Sequence, residues 1–130
     1  MNNFTRFQLP LILWMFFIFL ISSVESIPHM QTIFISTDKL AHTIEFFVFC
    51  WFCWRAMYFQ DTFSLLKRWS LFFAFIFTCI FGYLDEVHQL FVPGRSYEYL
   101  DMLADATGAL LCIVIITFIK RRMDRKALTS

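Results

Sequence analysis

Eleven side chains in this sequence combine types and spacings that could do chemistry. Asp38, His42 and Glu45 stand at i, i+4 and i+7, which puts them on one face of a helix, with Lys39 flanking that face. Asp85, His88 and Gln89 fall at i, i+3 and i+4, with Glu86 on the adjoining side. Asp101, Asp105 and Gly108 repeat the i, i+4, i+7 pattern, and Arg95 follows a Pro93-Gly94 turn. A histidine among carboxylates suits general-base work: His42 would be the base, oriented by Glu45, Asp85, Glu86 and Asp105. The same carboxylates could instead hold a divalent cation. No serine or cysteine nucleophile stands beside them, so an activated water would be the attacker. Lys39 and Arg95 offer positive charge to an anionic headgroup, lysine as a point charge and arginine as a fork. Gln89, Asp38 and Asp101 complete that ligand-binding set. Asp38 and Asp101 open their helices and read equally as first-turn acids favoured by the helix dipole. His42, Glu45 and Asp105 lie a turn deeper, where capping does not account for them. For His88 the two readings balance.

The elements that must position these groups are apolar. The chain has 130 residues, of which 59% are hydrophobic and 16% charged, with 19 Phe and 4 Trp. Ordinary soluble domains are about 45–50% apolar and about 25% charged. That excess excludes a soluble monomer, and low hydrophobicity, the requirement for disorder, is absent. A net charge of +1 gives no basic field for nucleic acid. Four apolar segments stand out, about Leu9–Val24, Leu40–Tyr58, Trp69–Leu84 and Met102–Ile119. Each approaches the ~20 residues that cross the hydrocarbon as a helix, the form that satisfies its own backbone in lipid. Alternation of period two, the mark of a membrane β-barrel, is missing. The expected fold is all-α: a single membrane domain over 1–130, a bundle of four transmembrane helices.

Charge sets the expected orientation. Nine of the eleven Lys and Arg residues fall on one side of the four segments; only Lys39 and Arg95 fall on the other, together with eight of the ten acids. The positive-inside rule then places both termini in the cytoplasm and the acidic end outside. Ser22, Ser23 and Ser26 after the first apolar run also resemble a cleavable signal peptide, without a clean cleavage pattern; a retained helix is the favoured reading. The basic run from Lys120 reads as a stop-transfer anchor or as a contact with anionic lipid. Cys50, Cys53, Cys79 and Cys112 all lie within apolar segments. Cys50 and Cys53 have redox-motif spacing but no strand–helix context, so packing is favoured. Ala104, Ala106, Thr107, Gly108 and Ala109 form a close-packing run.

With ~1.5 Å of rise per residue, His42 and Glu45 lie about 6 and 10 Å below Asp38, and Asp105 about 6 Å below Asp101. Asp85 and Glu86 approach the same layer from beneath. One shared pocket just below the outer interface is therefore expected. Arg95 is expected to pair with Glu86 or Asp101.

The stretches Asp38-Lys39-Leu40-Ala41-His42, Gly82 to Arg95, and Asp101 to Gly108 resemble the VanZ-like family. That family shows D-K-x-x-H, G-x-x-D-E-x-x-Q-x-x-x-P-x-R and D-x-x-x-[ND]-x-x-G, which occur here in order across about 38–109. Two departures are Asp105, where Asn is frequent, and an aromatic near Glu45 displaced to Phe46. The resemblance implies a small multi-pass protein of the bacterial cytoplasmic (inner) membrane, and the family's namesake is associated with resistance to the glycopeptide teicoplanin. Two function classes follow, neither involving nucleic acid. One is a module that binds or modulates an anionic membrane lipid or a lipid-linked envelope precursor. The other is an intramembrane hydrolase or transferase, with a divalent cation as its possible cofactor. A third, minor reading is a structural partner subunit, and four helices make a bundle thin enough for a homo-oligomer.

Overall fold

The computed structural model describes residues 2–25 and 35–129, and these form helices joined by short turns. Much of the connection expected at Glu25–Thr37 lies outside the described residues. A π-helical turn over Phe4–Gln8 runs into α1 (Leu9–Ser22), and Pro10, which has no amide donor, stands just past the junction. Then come α2 (Ile35–Tyr58), a short α3 (Ser64–Arg68), α4 (Ser70–Gln89) and α5 (Tyr99–Thr129). Among the described residues there is no strand.

Three of these helices are long and apolar enough to cross a membrane: Phe4–Ser22, Ser70–Gln89 and Tyr99–Leu128, with mean hydropathies of 1.9, 1.6 and 2.3. The helix α2 is not among them. It carries His42, Glu45 and Arg55 within its apolar stretch, yet it sits at the centre, packed against α5 most extensively and then α4. The expected segment after Trp69 is longer than its apolar run, because α4 continues through Asp85 and Glu86 to Gln89. The short α3 was not foreseen. The loop before it is tied by Gln60, whose Oε1 accepts from the amides of Thr62 and Phe63 and whose Nε2 donates to the Phe63 carbonyl.

Phe46, Phe49, Cys50, Cys53, Ala74, Ala109, Cys112 and Ile116 form the centre of the bundle. The cysteines are free thiols, and the three buried ones fill this core, as the packing reading expected. Outward faces carry large apolar side chains such as Leu13, Phe16, Phe72, Ile80, Leu110 and Phe118. Lipid is the solvent that makes such a surface stable.

The helices α2 and α5 come close together at Gly108. A Cβ at Gly108 would stand 2.2 Å from the Thr43 carbonyl oxygen and 2.9 Å from the Phe47 amide nitrogen. Glycine is what lets these two backbones touch. Thr43 Oγ1 spans the seam, donating toward the Ala104 carbonyl at 3.3 Å and the Lys39 carbonyl at 2.9 Å. The α4–α5 connection turns at Gly94, whose φ of 76° suits a residue without Cβ.

Candidate polar site between three helices

The three polar stripes meet. His42 from α2, Asp85, Glu86 and Gln89 from α4, and Asp101 and Asp105 from α5 are all buried, at one end of the bundle. His42 Nδ1 lies 3.0 Å from Asp105 Oδ1. That contact fixes the imidazole with Nδ1 facing the carboxylate, so Nε2 is the nitrogen that can serve a ligand or take a proton. Gln89 Nε2 donates to Asp85 Oδ2 at 3.1 Å within α4, joining residues one helical turn apart. Glu86 Oε2 accepts the Glu98 amide at 2.9 Å, which anchors the loop that leads into α5.

Above this layer Lys39 is enclosed by acids. Its ammonium bonds Asp101 and reaches Glu98 at 2.6 Å and Asp38 at 3.8 Å. Lysine is therefore paired with outer-end carboxylates as an internal counter-ion. Arg95 corrects a second expectation. Its Nε donates to the Val24 carbonyl at 3.3 Å, at the end of α1, while Asp101 is held by Lys39 and Glu86 by the Glu98 amide. The turn after Pro93 carries Arg95 toward α1 instead of back over its own helix ends. His88 also leaves the cluster: its Nε2 is 3.0 Å from Ser23 Oγ, and its ring lies 4.7 Å from that of Phe19. It docks α4 on α1.

Three carboxylate oxygens in or beside this layer are buried without a hydrogen-bond partner: Glu45 Oε1, Glu86 Oε1 and Asp105 Oδ2. An acceptor in that position calls for a proton, a cation, an ordered water or a donor from a ligand. Among the described residues one group could hold a metal ion. Asp38, His42 and Asp101 each bring a ligand atom within 4.8 Å of the others. Two carboxylates and an imidazole suit a divalent cation such as Mn²⁺ or Zn²⁺, and the Asp105 carboxylate behind His42 is the usual support for a metal-binding histidine. Lys39 already bonds both of those aspartates, so a cation there would compete with it.

A feature missed in the sequence adjoins this layer. A groove of about 340 Å³ runs between α4 and α5, lined by Cys79, Gly82, Tyr83, Tyr99, Met102 and Leu103 with Ala106. Its walls are almost wholly apolar. Gly82 is where groove and polar layer come closest, since a Cβ there would stand 2.8 Å from Asp105 Oδ2 and 3.1 Å from the Phe46 ring. The sequence signal was Gly82 itself, a glycine inside an apolar helix one turn before Asp85 and Glu86.

A family model described as VanZ/LLP1 matches residues 7–120. The chain belongs to the VanZ/LLP1 family. With three helices apolar enough to span, membership makes this chain a membrane protein. The match takes in every residue of the polar layer and reaches beyond the 38–109 stretch that carries the motifs. No curated protein and no solved structure matches the chain.

Proposed function

We propose that this VanZ/LLP1 member binds an anionic lipid or a lipid-linked envelope precursor at the outer face of the bacterial inner membrane. One observation carries the reading. An apolar groove of about 340 Å³ lies against a buried, under-bonded carboxylate layer, with Gly82 between them. A lipid has the matching anatomy, an apolar chain joined to a polar head. The chain would lie along Tyr83, Met102 and Leu103, and the headgroup hydroxyls or amines would donate to Glu45, Glu86 and Asp105. Arg95, held at Nε by the Val24 carbonyl, would turn its terminal nitrogens to the phosphate. Where the head carries more negative charge, a divalent cation at Asp38, His42 and Asp101 would bridge it.

A second reading rests on the His42–Asp105 contact. Base and orienter at 3.0 Å is the arrangement a hydrolase or transferase needs to activate water.

The test is lipid and metal analysis of the chain purified in mild detergent, with Gly82→Ala and Asp105→Asn beside it. Binding predicts a co-purifying envelope lipid that both variants lose while remaining folded. Stoichiometric Mn²⁺ or Zn²⁺ with turnover of an added lipid substrate favours the enzyme. Retention of the same lipid by both variants sinks the site. The proposed orientation predicts active alkaline-phosphatase fusions after Gly94 and inactive ones after Asp61.

A further inference from the structure

At the other end of the bundle a second pocket, of about 580 Å³, is built from three separate parts of the chain. The N-terminal π-helical turn contributes Arg6 and Phe7, the end of α2 contributes Trp51, Trp54 and Arg55, and Lys67 comes from α3. Arg55 is 16 residues along α2 from Lys39, roughly 24 Å along the helix axis. This pocket is therefore separate from the acidic layer. Two guanidinium groups share one ring: Arg6 and Arg55 stand 5.3 and 5.2 Å from the centre of buried Phe7. Phe59 stacks on the same ring at 4.4 Å.

The charges here are unbalanced. Asp61 is the one acid lining the pocket, and it is engaged by Asn3 Nδ2 at 2.7 Å and Lys67 at 3.7 Å. Among the described residues no carboxylate forms an ion pair with Arg6 or Arg55. Two guanidinium groups over one ring, Arg6 exposed and Arg55 half-buried, leave a local excess of positive charge that an anion would complete. Trp54 supplies an independent sign. It is buried, and its indole N–H has no partner. An indole donor is normally bonded when buried. Two guanidinium forks, an ammonium and an unused N–H, set on an aromatic shelf, make a receptor for a phosphate group.

We propose that this pocket binds the phosphate of an anionic phospholipid headgroup, with Arg6 and Arg55 as its clamp and Trp54 as a third donor. The shelf of Trp51, Phe7 and Phe59 supplies the amphipathic surface that suits the level of lipid headgroups. Lipid is favoured over free phosphate because the pocket opens beside a bundle whose outer surface is apolar.

The full chain in detergent, titrated with phosphatidylglycerol, phosphatidylcholine or inorganic phosphate, tests this by native mass spectrometry. One saturable phosphatidylglycerol per chain is expected, with phosphatidylcholine weaker by about tenfold, because its phosphate is the same but its choline cation would face Arg6, Arg55 and Lys67. R6Q/R55Q should abolish the preference. W54F, which keeps both arginines and removes only the N–H donor, should weaken it by a smaller factor. R68Q/R121Q removes two cations outside the pocket and should leave it unchanged. Displacement of the lipid by millimolar phosphate supports the phosphate clamp but assigns it to the free anion. If R6Q/R55Q and W54F keep the preference, or lose no more of it than R68Q/R121Q, the site is overturned.

Discussion

The seam between α2 and α5 has two halves of opposite chemistry. From Phe46 onward it is apolar and closely filled: Phe46, Phe49, Cys50 and Cys53 on α2 meet Ala109, Cys112 and Ile116 on α5, all nearly inaccessible. Ring pairs such as Phe49–Phe81 at 4.7 Å carry the packing over to α4. One turn in the other direction the same helices face each other through Lys39–Asp101 and His42–Asp105. In lipid, helix association relies on close packing because the apolar effect between helices is lost. The apolar half supplies that packing. Buried ionisable groups in the polar half cost several kcal/mol and contribute little stability that well-packed apolar residues could not. The lesson is that packing and buried charge are divided along one seam, and that the costly half is where the proposed function puts its site.

The largest expected effect lies at the hinge between the halves. Gly108→Ala forces a Cβ to 2.2 Å from the Thr43 carbonyl oxygen, which is backbone and cannot rotate away. The two helices must separate, and both halves of the seam open together. A loss of about 3 kcal/mol or more is expected, at the upper end of overpacking costs. Size-exclusion profiles and thermal melts in detergent would read it. A normal melt for G108A would mean that the close approach does not organise the fold.

The second prediction separates the halves. Phe49→Ala empties the apolar half and should cost about 3 kcal/mol, the lower end for deletion of a core ring. Glu45→Gln and Asp105→Asn keep side-chain shape and hydrogen-bonding capacity. They should melt much closer to the parent while losing the bound lipid. If F49A and D105N destabilise equally and D105N keeps its ligand, the polar half is structural and the division fails.

How far the sequence alone reached follows the same division. The stripes were legible because i, i+4 spacing fixes a shared face on each helix, so Asp38–His42 and Asp101–Asp105 could be placed before any fold was known. The apolar segments also located the long helices but not all their ends, since α4 runs on from Leu84 to Gln89 and α5 from Ile119 to Thr129. What could not be read was anything set by the path of a loop. Arg95 was assigned to Glu86 or Asp101 because they are neighbours in sequence, but the Gly94 turn sends it to the Val24 carbonyl. Lys39 pairs with Glu98, 59 residues away, through the loop that Glu86 anchors. The basic pocket draws on residues 3–7, 51–59 and 61–67, a combination no local pattern announces.

The smallest effect should come from Lys39, and it sharpens what the polar half is for. Its ammonium touches three carboxylates, but Asp38 and Glu98 are about half exposed, with side-chain accessibilities of 49% and 46%. Water screens those two contacts, so they add little. Asp101, at 5%, is the partner that depends on the lysine. Lys39→Met should therefore destabilise modestly, and a double-mutant cycle with Asp101→Asn should give a coupling of about 1 kcal/mol. The more telling readout is cation binding. Asp38 and Asp101 share their oxygens between Lys39 and the three-ligand group that includes His42. Removing the ammonium should free them, so K39M should bind Mn²⁺ more tightly than the parent in equilibrium dialysis, and K39M/H42A should lose that gain. A gain that survives H42A would place the ion on exposed acids instead. No gain in K39M would mean that the lysine does not hold a cation's place, and that the polar half receives its positive charge from the ligand.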